Sequence, residues 1–142
     1  QDFEMKCQGL SEWHGQPAWQ VRFEQRRDRT NRLSNIVMGD KTYAVRLRGR
    51  AWILADSYRV ARLETDLAEA IPAIKLRLDH MSIEYHPVEF RGGQTELWLP
   101  ASAELYLDLS GRRFYRKHIF SDFTLFSVDV DQKIAAASAY PR

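Results

Sequence analysis

Residues 101–109, which read Ala-Ser-Ala-Glu-Leu-Tyr-Leu-Asp-Leu, show the pattern that decides the fold of this chain. Apolar residues occupy every second position of this stretch, namely Ala103, Leu105, Leu107 and Leu109. Because successive side chains of a β-strand point to opposite faces, such alternation indicates a strand with one buried face. The same period recurs from Thr42 to Val130, where helical spacing is almost absent. The sequence therefore predicts half-buried antiparallel sheet.

Turn residues divide the chain into about nine strands, counted from the alternating runs. Two N-terminal runs, 3–10 and 19–23, flank a turn at 13–17 that contains Gly15 and Pro17, which predicts a hairpin. Residues 25–41 are polar and lack a clear period, so they are predicted to form a long loop with a short helical turn near 33–38. A meander follows, with turns predicted at Asp56-Ser57, Gly92-Gly93 and Ser110-Gly111, and with 112–120 and 123–130 as its last hairpin.

Breaks in the alternation predict where the sheet bends. The apolar parity of 74–78 is opposite to that of 81–85, which indicates a bulge or break near Asp79. Pro87 causes a second slip and is expected at an edge or bulge, and Pro100 is expected to end the strand that begins at Thr95. A sheet with such bends curves. The predicted fold class is mainly β: a single antiparallel curved sheet, or half-barrel, of about nine strands with little helix.

Composition is that of an ordinary globular protein. The chain has 142 residues, 44% apolar and 28% charged, which suits a single β-rich domain over 1–142. A net charge of +2 gives no strong steering toward nucleic acid. No apolar run approaches the roughly 20 residues of a membrane helix. Gln1 opens a polar stretch, so export requires that a signal peptide has been removed. Cys7 is the only cysteine, which excludes an intrachain disulfide.

The candidate chemical motifs are weak. His80, Ser82, Glu84 and His86 share one face of a regular strand, but the strand rise places the two histidines about 20 Å apart, too far for one metal ion. No serine stands in a nucleophile elbow, and Glu64 and Asp66 are interpreted as carboxylates that solvate the sheet. We therefore expect no catalytic residue, metal site or cofactor, and no enzyme.

Two basic segments, 22–32 and 112–117, are interpreted as solvated faces and protected edges, because acidic residues lie close to both in the sequence. Nucleic-acid binding is not expected. Contact with anionic lipid or with a partner protein stays open for these segments. The aromatic residues, which include Trp13, Trp19, Trp52 and Trp98, form either the core or a groove for a ligand or partner.

Five segments in order resemble the LolA/LolB-like lipoprotein-localisation superfamily, which includes outer-membrane lipoprotein-sorting proteins and RseB-like sensors. They are Ala-Trp-Gln-Val-Arg-Phe-Glu at 18–24, the run 43–55 with its Gly49, the run 58–65, and the pair formed by Ile-Glu-Tyr-His-Pro-Val at 83–88 and Leu-Trp-Leu-Pro at 97–100. The resemblance covers roughly residues 3–130. None of these segments carries catalytic residues.

The resemblance implies a half-barrel whose concave side holds helices and an apolar cavity for acyl chains. This sequence departs from the family pattern, because the N-terminal helix and much of the helical lid are not visible in it. Either an N-terminal helical part is missing, or the open face pairs with another chain, as in a homodimer. Parity and position make four residues the candidates for ligand binding on the concave face: Trp52, Leu54, Leu63 and Leu97.

The expected function is therefore non-enzymatic. The chain is expected to be an exported, periplasmic protein of lipoprotein-sorting type that binds a hydrophobic ligand or a lipoprotein acyl chain. The alternative is a sensor or structural module that docks a protein partner through the face or the edge of its sheet.

Overall fold

The computed structural model describes residues 2–29, 33–90 and 95–125. In these ranges the chain forms nine strands and one turn of 3₁₀-helix: β1 (Phe3–Trp13), β2 (Gln16–Gln25), β3 (Asn35–Met38), β4 (Lys41–Ala44), β5 (Leu47–Leu54), β6 (Val60–Leu67), the 3₁₀ turn (Pro72–Ile74), β7 (Leu78–Glu89), β8 (Glu96–Leu109) and β9 (Arg112–Ile119). No helix in the described ranges has the length and hydrophobicity to cross a membrane.

Seven strands form one antiparallel sheet in the order β1-β2-β5-β6-β7-β8-β9, and the sheet does not close. Strands β3 and β4 form a separate two-stranded hairpin. The predicted fold class, a mainly β chain built on an open antiparallel sheet, is confirmed. The nine strands are divided between the large sheet and the hairpin because the chain leaves the sheet after β2 and returns at β5.

The sheet is bent by three irregularities of register. They lie between Cys7 and Gly9, between Trp52 and Ile53, and between Glu84 and Tyr85. The change of apolar parity predicted near Asp79 is a break between two elements, because Ile74 and Leu76 lie in the connection before β7 and Met81 lies in the strand itself. Pro87 lies in a part of β7 that pairs with β8, beyond the residues that pair with β6. A residue without an N–H is tolerated there, since one side of the strand needs no ladder hydrogen bond.

Two tight turns set the register of the terminal hairpins. His14 and Gly15 join β1 to β2, and Ser110 and Gly111 join β8 to β9. All four residues have positive φ, between 47° and 79°. Two central residues with positive φ make the turn whose twist matches that of the flanking strands. The predicted turn at Gly92-Gly93 lies outside the described residues.

Several predicted boundaries are wrong. The helical turn expected near 33–38 is strand β3, and the alternating run that begins at Thr42 is divided into β4 and β5 at Val45–Arg46. Gln25 holds this division, because its carbonyl oxygen accepts from Arg46 Nη2 at 2.9 Å and its Oε1 accepts from the Leu47 N–H at 3.3 Å. Pro100 lies inside β8, beside the Glu84–Tyr85 irregularity, where no regular ladder bond is needed. Residues 123–125 are not in a strand, and 126–130 lie outside the described residues.

Two separate clusters form the core of the described chain. The first contains the buried residues Val45, Leu67, Ile74 and Leu76, packed against Ile36, Tyr43, Leu47, Ile71, Leu107 and Leu109. The second contains the buried residues Ala18, Leu54 and Ala61, packed against Trp13, Trp52 and Trp98. The first cluster joins the β3–β4 hairpin and the 3₁₀ turn to one end of the large sheet, so that end of the sheet is covered.

Candidate functional site

Strand register places the apolar residues of six strands on one side of the large sheet. Residues directly opposite each other in antiparallel strands project to the same side. The register gives the two rows Met5–Phe23–Gly49–Thr65–Met81–Leu105 and Cys7–Val21–Ala51–Leu63–Ile83–Ala103. We call this side the apolar face and define it by Met5, Cys7, Val21, Phe23, Ala51, Leu63, Met81, Ile83, Ala103 and Leu105.

The apolar face is covered at one end and open over the rest. Val45, Ile74 and Leu76 pack on the end formed by Leu47, Leu67, Leu107 and Leu109. Among the residues that define the face, Ala51 is buried, whereas Met5 is 64% exposed, Cys7 is exposed and the others are half-buried. A sheet face packed beneath a second layer would bury its large side chains. Within the described ranges this surface therefore stays accessible to a ligand.

The opposite side of the sheet, here called the charged face, carries the intervening residues of the same strands. It is defined by Lys6, Arg22, Arg48, Arg50, Arg62, Glu64, Asp66, His80, Glu84, Glu104 and Lys117. Arg62 binds Glu64 at 2.7 Å and also Glu84, and His80 Nδ1 lies 2.6 Å from Asp66 Oδ1. From β1 to β8 most charged residues lie on the charged face, whereas β9 places Arg116 and His118 on the apolar side, opposite Leu105 and Ala103.

Lys117 and Glu104 make a charge-assisted contact across β8 and β9, with Nζ 2.8 Å from Oε1. The hydrogen bond from Lys117 lowers the pKa of Glu104, and the same bond raises the pKa of Lys117. Both shifts favour the charged forms, so the pair stays ionised at neutral pH. These side chains solvate the sheet and leave no proton poised for transfer.

The four residues predicted to share one ligand-binding face do not share it. Leu63 pairs with Ala51 on the apolar face, whereas Trp52 is the next residue along β5 and lies on the charged side. Leu54 is 5% exposed and belongs to the second core cluster. Leu97 pairs with Val88 beyond the Glu84–Tyr85 irregularity and is 37% exposed. The assignment of Trp52 and Leu54 to an open face is therefore corrected: they are packed residues on the other side of the sheet.

Three of the four tryptophans form a packed cluster. Trp13 and Trp52 have ring centroids 5.7 Å apart, and the Arg62 guanidinium lies 5.3 Å from the Trp13 ring. Trp98 Nε1 donates to the carbonyl oxygen of Val60 at 2.7 Å. Trp19 lies opposite Ile53 and is 39% exposed. Of the two interpretations of the aromatic residues, core is right for Trp13, Trp52 and Trp98.

Asp79 places a carboxylate at the covered end of the apolar side, opposite Leu107. Burial of the carboxyl raises the pKa of Asp79, and the neighbouring His80 partly opposes this shift. A raised pKa in the folded state means that ionisation destabilises the fold. The penalty is absent below the unfolded-state pKa and complete above the folded-state pKa, so this residue contributes more stability as the pH falls through that window.

We therefore expect Asp79→Asn to raise the melting temperature at pH 7, because it removes the buried charge without changing the size of the side chain. The gain over the native protein should shrink as the pH is lowered from 7 toward 4. Asp56→Asn, in an exposed turn, is the control and should leave the melting temperature unchanged. A loss of stability in Asp79→Asn at pH 7 would contradict the burial of this carboxylate.

Sequence reasoning missed Met5, Val21, Met81 and Ile83 as members of one surface. The turn at His14-Gly15 does not give this register, because a shift between Cys7 and Gly9 brings Cys7 opposite Val21. Gly9, a glycine inside a strand pattern, is the local signal for that shift. Among the described residues, no three His, Cys, Asp or Glu side chains are close enough to hold a metal ion.

No family model, curated protein or solved structure gives a significant match to this chain. The resemblance to the lipoprotein-localisation superfamily rests on the sequence segments named above.

Proposed function

We propose that this chain is a non-enzymatic, exported protein of lipoprotein-sorting type that holds a hydrophobic ligand or a lipoprotein acyl chain against its apolar face. One observation carries the proposal: large apolar side chains of β1, β2, β6, β7 and β8 stand half-buried or exposed on one side of the sheet, with no described element packed over them. Soluble monomers rarely expose contiguous apolar patches larger than a few hundred Å². A patch that spans six strands favours a surface with an occupant.

An acyl chain suits this surface energetically. Each methylene fully removed from water contributes about 0.8 kcal/mol, and a chain laid across an open face buries roughly half of its surface, so ten methylenes would contribute about 4 kcal/mol before the cost of ordering the chain. A flat, wide contact keeps this entropy cost small, because the bound chain can still adopt several conformations. Residues of different size, from Ala51 to Phe23, offer such a contact.

Separation of charge onto the other face supports the same proposal. Charged side chains of β5 and β6, such as Arg50 and Glu64, project away from the apolar face. A ligand on the apolar face would be recognised by burial of its hydrocarbon, without an ion pair. Export to the periplasm is part of the proposal through the sequence resemblance alone.

Leu63→Gln tests this proposal by placing an amide in the centre of the apolar face. The probe is a fluorescent acyl chain added to detergent-free protein, with an uncharged monoacylglycerol as competitor. We expect saturable binding to the native chain and binding at least about thirtyfold weaker in the variant, since a lost leucine contact and a desolvated amide each cost on the order of 1–2 kcal/mol.

Leu78→Gln is the matched control, because Leu78 is 44% exposed and its side chain has the opposite parity in β7 to those of Met81 and Ile83. Probe binding should be unchanged in this control.

Met5→Gln on the exposed edge strand is the second test variant, chosen because a residue that is 64% exposed contributes little to folding. Absence of saturable probe binding to the native chain, or equal weakening in Leu78→Gln, would reject the proposal. Concentration-dependent dimerisation blocked by Leu63→Gln, without probe binding, would instead make a second copy the occupant.

The edge of the sheet supports a second candidate, the docking of an extended protein segment. Strand β9 is the last strand in the sheet order, and each of its eight residues is exposed. Such an edge presents a row of backbone donors and acceptors that an added strand can use. A partner held there would be indifferent to Leu63→Gln and Met5→Gln, which separates this function from binding on the apolar face.

A further inference from the structure

Four cationic side chains from three adjacent strands are neighbours on the charged face. Register places Lys6 opposite Arg22 and Arg22 opposite Arg50, in β1, β2 and β5. Arg48 lies two residues from Arg50 on the same side of β5. Side chains directly opposite each other have Cβ atoms about 5 Å apart, and like charges in that position are destabilising. Lys6, Arg22 and Arg50 therefore form a row of like charges across three strands.

Most other charges on this face are paired. Arg62, His80 and Lys117 each have a carboxylate oxygen at 2.8 Å or closer. Arg50 makes a looser contact of 3.5 Å with Glu64, which also binds Arg62. Among the described residues, no carboxylate lies within 4 Å of the side-chain nitrogens of Lys6, Arg22 or Arg48. Arg22 is thus flanked across the sheet by cations on both sides.

The three arginines border an open groove. It has a volume of about 250 Å³ and is lined by Gln8, Arg22, Arg48, Gly49, Arg50 and Asp66. Four acidic side chains share this part of the charged face. Glu64 lies opposite Arg50 and Glu4 opposite Glu24. Glu24 and Asp66 lie on either side of Arg48, and Asp66 is engaged by His80. Glu24 is also drawn toward Arg46, at 3.8 Å. The carboxylates nearest to the groove are therefore partly neutralised by other partners.

We propose that this groove binds a phosphate group, held by Arg22, Arg48 and Arg50. Guanidinium groups match phosphate oxygens with two parallel hydrogen bonds, and a dianion relieves the repulsion between neighbouring cations. Gln8 supplies a neutral amide at the rim of the groove. The phosphate belongs either to a small phosphorylated molecule or to a lipid headgroup. The site lies on the side opposite to the apolar face, so it goes beyond the proposed function and does not depend on it.

Inorganic phosphate and vesicles of phosphatidylglycerol are the two probes. The side-chain Nε–Hε signals of the arginines are followed by NMR while phosphate replaces chloride at constant ionic strength. We expect saturable shifts at Arg22, Arg48 and Arg50 and none at Arg112 or Arg116. The triple variant Arg22→Gln, Arg48→Gln, Arg50→Gln should bind phosphate at least about tenfold more weakly, as expected for loss of charge-assisted hydrogen bonds.

Arg77→Gln, Arg112→Gln, Arg116→Gln is the matched control, because it removes the same charge from exposed positions away from the groove. Phosphate binding that is lost in the groove variant and kept in this control supports a soluble phosphorylated ligand. Vesicle binding with the same dependence on variant, and no saturation by phosphate, supports a lipid headgroup. Equal weakening in the control, uniform shifts at all arginines, or no saturable response to either probe overturns the site. Leu63→Gln should leave phosphate binding unchanged, so failure here is distinguishable from failure of acyl-chain binding.

Discussion

Leu76→Ala is expected to lower the free energy of unfolding by about 3 kcal/mol, within the range of roughly 2–5 kcal/mol measured for large-to-small core substitutions. Leu76 is fully buried and lies in the first core cluster between Val45, Leu67 and Ile74. Truncation removes its apolar contacts and leaves a cavity, which a connection held by one 3₁₀ turn can only partly close. Urea denaturation followed by tryptophan fluorescence measures the change.

Leu78→Ala is the control for this prediction, since Leu78 lies two residues away and is 44% exposed. Its truncation should cost less than about 1 kcal/mol, because a half-exposed leucine loses little burial. Similar losses in the two variants would contradict the assignment of Leu76 to the core. The first cluster also covers one end of the apolar face, so Leu76→Ala should increase the binding of an environment-sensitive apolar dye.

Gly49→Ala is expected to cost about 2–3 kcal/mol, because a β-carbon at this position has no room. It would overlap the backbone carbonyl oxygen of Glu64 and lie 2.5 Å from Cζ of Phe23. The Phe23 ring covers the glycine from the neighbouring strand and packs edge-to-face on Phe3, with centroids 5.7 Å apart. An aromatic ring that covers a glycine in the adjacent strand restores the contacts that the missing side chain cannot make.

Gly111→Ala separates this clash from the usual conformational cost of replacing glycine. Gly111 has a φ of +77° and no atom within 4 Å of an added β-carbon. Its substitution should cost about 1 kcal/mol through backbone strain alone. Unfolding free energies from urea titrations should therefore rank native above Gly111→Ala above Gly49→Ala. A Gly49→Ala protein as stable as Gly111→Ala would show that β5 and β6 can separate without loss.

The distribution of residues between the two faces explains why both proposals can hold for one sheet. Apolar side chains and charged side chains alternate along β2, β5 and β6, and the sheet keeps each set on its own side. A hydrocarbon chain and a phosphate group could each use one side without competing for the same residues. The pair of tests, with Leu63→Gln on one side and the arginine variant on the other, addresses the two surfaces separately.

Local sequence predicted the strands well and the surfaces poorly. The run 101–109 is within β8, and 112–119 is β9, because alternation and the Ser110-Gly111 turn act over short distances. Trp52 was assigned to the open face although it packs against the second core cluster. Its placement follows from the register of β5 against β2 and β6, which puts Trp52 opposite Gln20 and Arg62, on the same side as Arg50. The alternation in 51–55 alone does not say which side of the strand is left open.

The alternation of apolar and polar residues determined by itself that this chain forms a mainly β, antiparallel structure, since period-two burial is a property of each strand alone. Tertiary structure alone decided which residues meet. Arg22 lies on β2 and Arg48 and Arg50 lie on β5; these strands are neighbours in the sheet, although the β3–β4 hairpin lies between them in the sequence. Leu63 of β6 lies between Ala51 of β5 and Ile83 of β7. Strand order and register create these surfaces, and both depend on turn geometry, on bulges and on the return of the chain to β5 after its excursion through β3 and β4.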